Sequence, residues 1–201
     1  MITSILKERR EALFRKSIIG LLSICLLVIL VMTGLQERTV IIIEDQKSGE
    51  KHSLFPSDNH FELGYIHSVL LTPVDEYFEI DKDNNLILQK TVYESFGVGL
   101  PYEQMSDAEF EIVDGKFILY MDRKFEKVNM IASPIPKHSI TVNGEKIYIA
   151  ELFNKESIDV TSESFKKLIK NDVERQKYTH DLIIHVIKKK VFEIGNYHVV
   201  L

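Results

Sequence analysis

Tyr65-Ile66-His67-Ser68 … Thr72-Pro73-Val74-Asp75-Glu76-Tyr77-Phe78-Glu79-Ile80, then Asp81-Lys82-Asp83-Asn84-Asn85, Leu86-Ile87-Leu88-Gln89-Lys90-Thr91-Val92-Tyr93 and Ser95-Phe96-Gly97-Val98-Gly99-Leu100-Pro101, is the stretch on which the fold turns. Val74–Ile80 and Leu86–Tyr93 read as strands, because Tyr77, Glu79 and Asp81 alternate with Phe78 and Ile80. The Asp/Asn run between them predicts a hairpin, since both residue types tolerate the positive φ of tight turns. The same acids do not make an EF-hand, which needs a central glycine and a distal glutamate. His60–His67 is a third strand candidate.

Working outward, Glu109–Val113, Asp114-Gly115 and Lys116–Met121 read as a second hairpin, and Val128–Ala132 as a continuation of the same sheet. His138–Val142, Asn143-Gly144 and Glu145–Leu152 read as a third, reached through a stiff connector at Pro134 and Pro136. Upstream, Thr39–Glu44 is β-branched and almost unbroken in its apolar character, which predicts burial on both faces or a position near a membrane. Short strands punctuated at regular intervals point to a mainly β protein, an antiparallel β-sandwich or open barrel. After Asp159 the pattern changes. Thr161-Ser162-Glu163-Ser164 offers caps for a helix carrying Phe165, Leu168, Ile169 and Val173 to about Lys177. Leu182, Ile183, Val186 and Ile187 fit helix or strand, and Lys188-Lys189-Lys190 reads as polar punctuation before Val191–Leu201.

Ser17–Leu35 carries no charge and is long enough, at about 1.5 Å per residue, to span a bilayer core. Lys7, Arg9, Arg10, Arg15 and Lys16 before it predict an N-terminus in the cytoplasm and a C-terminal domain outside. A cleaved signal peptide is the rival, disfavoured by the length of the apolar run and the absence of an Ala-x-Ala site after it. A lipoprotein reading at Cys25 fails because Ile24 is too large and apolar residues continue beyond. Ile2, Ile5, Leu6, Leu13 and Phe14 suggest an amphipathic lead-in. The expected organisation is a basic cytoplasmic segment (1–16), a transmembrane anchor (17–35), an extracytoplasmic β-domain (36–160) and a helix-containing C-terminal extension (161–201).

The 201 residues have room for one ordinary core beside these extras, and a net charge of −5 with scattered acids argues against a nucleic-acid surface. The single cysteine excludes an internal disulfide and a cysteine-based metal site. His67, Ser68 and Glu76 have the residue types of a hydrolase triad. Yet no nucleophile elbow surrounds Ser68 or Ser95, and adjacent residues of a strand point to opposite faces. His60, His67, Glu76 and Glu79 offer metal donors without a ligand spacing, so a hydrogen-bonded strand histidine and surface glutamates are the reading adopted. In Ser95–Pro101, Gly97 and Gly99 permit close backbone approach and Pro101 fixes the exit. The loop either receives an anion or a partner's backbone, or is a corner between sheets with Phe96 and Leu100 tucked inward. It is not a dinucleotide fingerprint, and no cofactor or metal is expected.

Tyr65-Ile66-His67-Ser68, Thr72-Pro73-Val74-Asp75-Glu76 and Ser95-Phe96-Gly97-Val98-Gly99-Leu100-Pro101 together resemble the bacterial family called domain of unknown function 1850, over roughly His60–Leu152. Leu70 stands where the family commonly has an acid, and Val98 where it has a small residue. The resemblance implies a small exported or membrane-anchored protein, often encoded beside the permease and TAXI-type receptor of tripartite ATP-independent periplasmic (TRAP) transporters. It therefore implies an accessory, non-enzymatic role in solute uptake. The interaction residues would be Tyr65, His67, Ser68, Pro73, Glu76, Ser95, Phe96, Gly97, Gly99, Leu100 and Pro101. The alternatives are a stand-alone small-ligand or metal-binding domain using His67 and Glu76, and a hydrolase.

Overall fold

A computed structural model describes residues 2–95, 109–153, 170, 176, 178–194 and 197–200. The chain divides into two compact units, one formed by Met1–Arg38 with Lys189–Leu201 and the other by Thr39–Lys188. In the first, α1 (Ile2–Gly34) is one continuous helix, and its segment Arg9–Ile29, with a mean hydropathy of 2.1, is long and apolar enough to cross a membrane. Strand β1 (Leu35–Asp45) follows without a spacer, so Leu35–Arg38, expected to end the helix and lead into the strand, already has strand geometry.

The second unit holds the core. Its strands are the body of β1, then β2 (Lys51–Leu54), β3 (His60–Ile66), β4 (Pro73–Ile80), β5 (Leu86–Tyr93), β6 (Glu109–Val113), β7 (Lys116–Phe125), β8 (Lys127–Ala132), β9 (Ser139–Val142) and β10 (Glu145–Tyr148). A short helix, α2 (Ile149–Phe153), precedes β11 (His180–Ile194) and β12 (Tyr197–Val200). Seven strands form one antiparallel sheet in the order β10-β9-β3-β4-β5-β7-β6. The second sheet runs β12-β11-β1-β2, with β8 also paired to β11. The protein is mainly β and sandwich-like, as the sequence predicts. Val40, Ile41, Ile42 and Ile43 are all buried, which explains the unbroken apolar run of β1.

Three expectations need correction. Val128–Ala132 does not extend the sheet of the preceding hairpin; it pairs with β11 in the other sheet, from His180↔Ala132 to His185↔Lys127. The strand expected to reach Leu152 ends at Tyr148, where the chain turns into α2 and buries Ile149, Ala150 and Phe153. Lys188-Lys189-Lys190 is no punctuation but lies within β11, whose Leu182, Ile184 and Val186 face the core. The helix expected over 161–177 falls almost wholly outside the described residues.

All three predicted hairpin turns are present. Asn84, Asp114 with Gly115, and Asn143 with Gly144 have φ values between 51° and 78°, the left-handed region these residue types favour. At the first turn, Asp81 Oδ1 accepts the amides of Asp83 and Asn85 at 2.8 Å, and Oδ2 receives Lys124 Nζ at 3.1 Å. The Asn85 amide leads the interactions that hold the Asp81 carboxyl down at about 2. A depressed acid contributes stability above its ordinary value and loses it as pH falls through the folded value. Acid unfolding followed by circular dichroism should therefore begin at higher pH in Asp81→Ala than in the parent.

Strand β5 shows why alternation alone misassigns a face. A strict period of two from Leu86 and Leu88 would bring Lys90 inside. The register slips at Gln89, where Phe78 faces Leu88 but Tyr77 faces Lys90. This bulge puts Thr91 and Tyr93 in the core and sends Lys90 outward, its Nζ 4.4 Å from the Tyr77 ring centroid.

Candidate functional site

The candidate residues fall in three places. His67 and Ser68 lie just past β3, not on it, so the expected strand histidine is instead the organiser of a turn. Its Nδ1 accepts the amides of Val69 and Leu70, both at 3.2 Å, while the Leu71 amide donates to its carbonyl and its own amide donates to Thr72 O, both at 2.9 Å. An Nδ1 that accepts carries no proton, which places the ring hydrogen on Nε2. His67 is buried and Ser68 exposed, and no hydrogen bond joins them. The loop so built holds Leu71 at a φ of 56°, unfavourable for a branched residue, and leaves Val69 66% and Leu71 74% exposed. Pro73 opens β4 opposite Ile66.

A second turn is built the same way. His138 Nδ1 accepts the Ser133 amide at 3.2 Å, and burial pushes this imidazole below its ordinary value. The Ile66 amide donates to Pro136 O at 2.7 Å, and the Tyr65 and His138 ring centroids are 5.9 Å apart, so the two turns adjoin. Ile135, in this second turn, is also exposed. A cavity of about 100 Å³ lined by Pro134, Lys137, His138, Tyr148 and Glu151 opens there as well. The same end holds the close of β1: Ala132 pairs with His180, and the Gln46 amide donates to Asp181 O at 2.8 Å. From Thr39 to Asp45, β1 itself extends about 20 Å, six residues of strand.

Glu76 occupies the third place, the core face of β4 between Val74 and Phe78, opposite Leu63 and Thr91. Burial pushes its carboxyl up, and Tyr65 is raised by its own burial and then by this carboxylate. Ser95 follows β5 in a bend, whereas Phe96, Gly97, Gly99, Leu100 and Pro101 lie outside the described residues.

Sequence reading missed a polar cluster at the β1 end of the core. Asp45 and His180 are both buried, with His180 Nδ1 3.1 Å from Asp45 Oδ2. Phe153 packs between two histidines, its ring centroid 4.8 Å from that of His52 and 5.2 Å from that of His180. Burial raises the Asp45 carboxyl, but the Lys47 amide, the His180 ring and the Ser48 hydroxyl outweigh it and hold the group below the ordinary carboxylate value. Asp45 and His180 stand 135 positions apart, and no local signal joins them. Among the described residues no three His, Cys, Asp or Glu side chains converge to hold a metal ion.

These features define a class: a two-sheet antiparallel β-domain behind an apolar N-terminal helix, with histidine-built loops at one end. Residues 61–149 match the model of the family described as Domain of unknown function (DUF1850). No curated protein and no solved structure matches the chain.

Proposed function

We propose that this is a membrane-tethered binding module that docks a protein partner through the loop 67–72, with no chemistry of its own. The observation carrying the proposal is that loop. Two large apolar side chains project into solvent from a backbone fixed by four hydrogen bonds to His67, so their presentation costs little ordering entropy on binding. The family resemblance makes the TRAP permease or its TAXI-type receptor the partner to test, with the domain outside the cytoplasmic membrane.

The experiment is site-specific photo-crosslinking from position 71 in intact membranes. A discrete adduct with the permease or receptor is expected, retained in His67→Asn, whose Oδ1 can stand where Nδ1 stood, and lost in His67→Ala. Failure to cross-link from position 71, alongside efficient cross-linking from the opposite end of the sandwich, would remove the proposal.

A further inference from the structure

The cavity of about 100 Å³ beside the second turn is bounded on two sides by fixed backbone. On one side, the turn from Ser133 to His138 is held by the Ser133 amide donating to His138 Nδ1 and the Lys137 amide donating to Pro134 O, both at 3.2 Å. On the other, Tyr148, Ala150 and Glu151 come from the junction of β10 with α2, where the Ile149 amide donates to His138 O at 2.9 Å. The space is therefore preformed. Such a site loses little conformational freedom when a ligand enters.

Its polar groups are uncommitted. Because His138 Nδ1 accepts an amide proton, the ring hydrogen sits on Nε2, and that N–H meets no acceptor among the described residues, yet is not sealed from solvent. Burial disfavours the charged ring and so preserves this arrangement. The Lys137 ammonium and the Glu151 carboxylate line the same small space, and neither makes an ion pair or hydrogen bond among the described residues. The cavity thus has a donor side at Lys137 and His138 and an acceptor side at Glu151. Lys137 is moreover held at a φ of 51°, where glycine or asparagine is the usual residue, so a cation is kept at this position against the preference of the backbone.

We infer that this cavity binds a small zwitterion, an α-amino acid with a short side chain. Its carboxylate meets the Lys137 ammonium and the His138 Nε2–H, its ammonium meets Glu151, and its side chain lies against Pro134 and Ala150. A simple anion would sit beside the like charge of Glu151, and a simple cation beside that of Lys137. Only a ligand carrying both charges uses both sides. Size agrees: a cavity of about 150 Å³ admits benzene, so one of about 100 Å³ has room for roughly five or six heavy atoms, the size of glycine or alanine. The inference does not rest on docking through the loop 67–72, and either can fail without the other.

The test is calorimetric titration of the full-length chain in detergent with L-alanine, and with propionate and ethylammonium, which each lack one of its charges. Saturable binding of alanine is expected, with the other two weaker by about tenfold or more. Lys137→Gly removes the ammonium while placing at this φ the residue best suited to it, so the variant should melt at or above the parent's temperature yet bind alanine about tenfold more weakly or worse. Glu151→Gln should keep the parent's melting temperature and lose affinity to a similar degree. No binding of alanine by the parent, propionate or ethylammonium binding as tightly as alanine, or full affinity retained in both variants would overturn the inference.

Discussion

A chain stopped after Phe153 is expected to lose cooperative folding altogether. The family match spans residues 61–149, and a chain ending at Phe153 would contain all of it. It would lack β11, whose Leu182 and Ile184 are fully buried and whose Val186 is 7% exposed. Burying three such side chains is worth about 5–9 kcal/mol, at about 1.5–3 each. That is as large as the whole net stability of a typical domain, about 5–15 kcal/mol. The truncation would also remove the strand that lies between β1 and β8, leaving both with unpaired edges. Thermal melts followed by circular dichroism should show no sigmoidal transition, and limited proteolysis should find no resistant core. A cooperative melt in the shortened chain would show that the seven-stranded sheet and its loops suffice.

Asp45→Ala should be the most damaging single substitution among the polar residues, lowering stability by about 3–5 kcal/mol, the range for breaking a buried, hydrogen-bonded charge. Asp45 holds three partners at once: the Lys47 amide at 3.0 Å, Ser48 Oγ at 3.0 Å and His180 Nδ1 at 3.1 Å. The first two shape the turn from β1 to β2, and the third joins that turn to the start of β11. Removing the carboxylate would leave His180 buried with both ring nitrogens unpartnered, since Nε2 already has no hydrogen-bond partner. Asp45→Asn keeps an acceptor and should cost less. The acid limb of the stability profile gives the sign. A carboxyl held below its ordinary value stabilises the fold above that value and ceases to do so as pH falls through the folded value. Urea titrations near neutral pH and below pH 4 should therefore converge for parent and Asp45→Ala at the acid end. A gap that persists under strong acid would assign the loss to packing rather than to the charge.

How much of this was legible in the sequence depends on the range of the interaction. Hairpins were readable because Asn84, Asp114-Gly115 and Asn143-Gly144 announce their turns within two residues. The apolar helix was readable for the same reason, since composition over one window decides it. Strand β8 was assigned to the wrong sheet because Val128–Ala132 carries no mark of its partner, and that partner begins 48 residues later at His180. Lys188–Lys190 looked like a break because charge ordinarily ends a strand; the backbone pairing of β11 overrides that preference. Tyr65, His67 and Glu76 were singled out by residue type and local pattern, which do not fix where each side chain goes. His67 turns back to fasten its own loop, whereas Glu76 faces inward from the middle of β4. The Asp45–His180 pair was invisible because only the assembled sheet brings its members together.

The pairing of β1 with β11 also sets an order of events during biosynthesis. β1 begins at Leu35 and leaves the ribosome well before its neighbour in the sheet, which begins at His180. Until β11 is made, 135 positions after Asp45, the apolar run Val40–Ile43 has no strand on that side and the sandwich cannot close. Late, long-range pairing of this kind folds slowly and leaves sticky intermediates. The nascent chain should thus depend on chaperones more heavily than its modest length implies, and premature termination should yield aggregates rather than a smaller working protein.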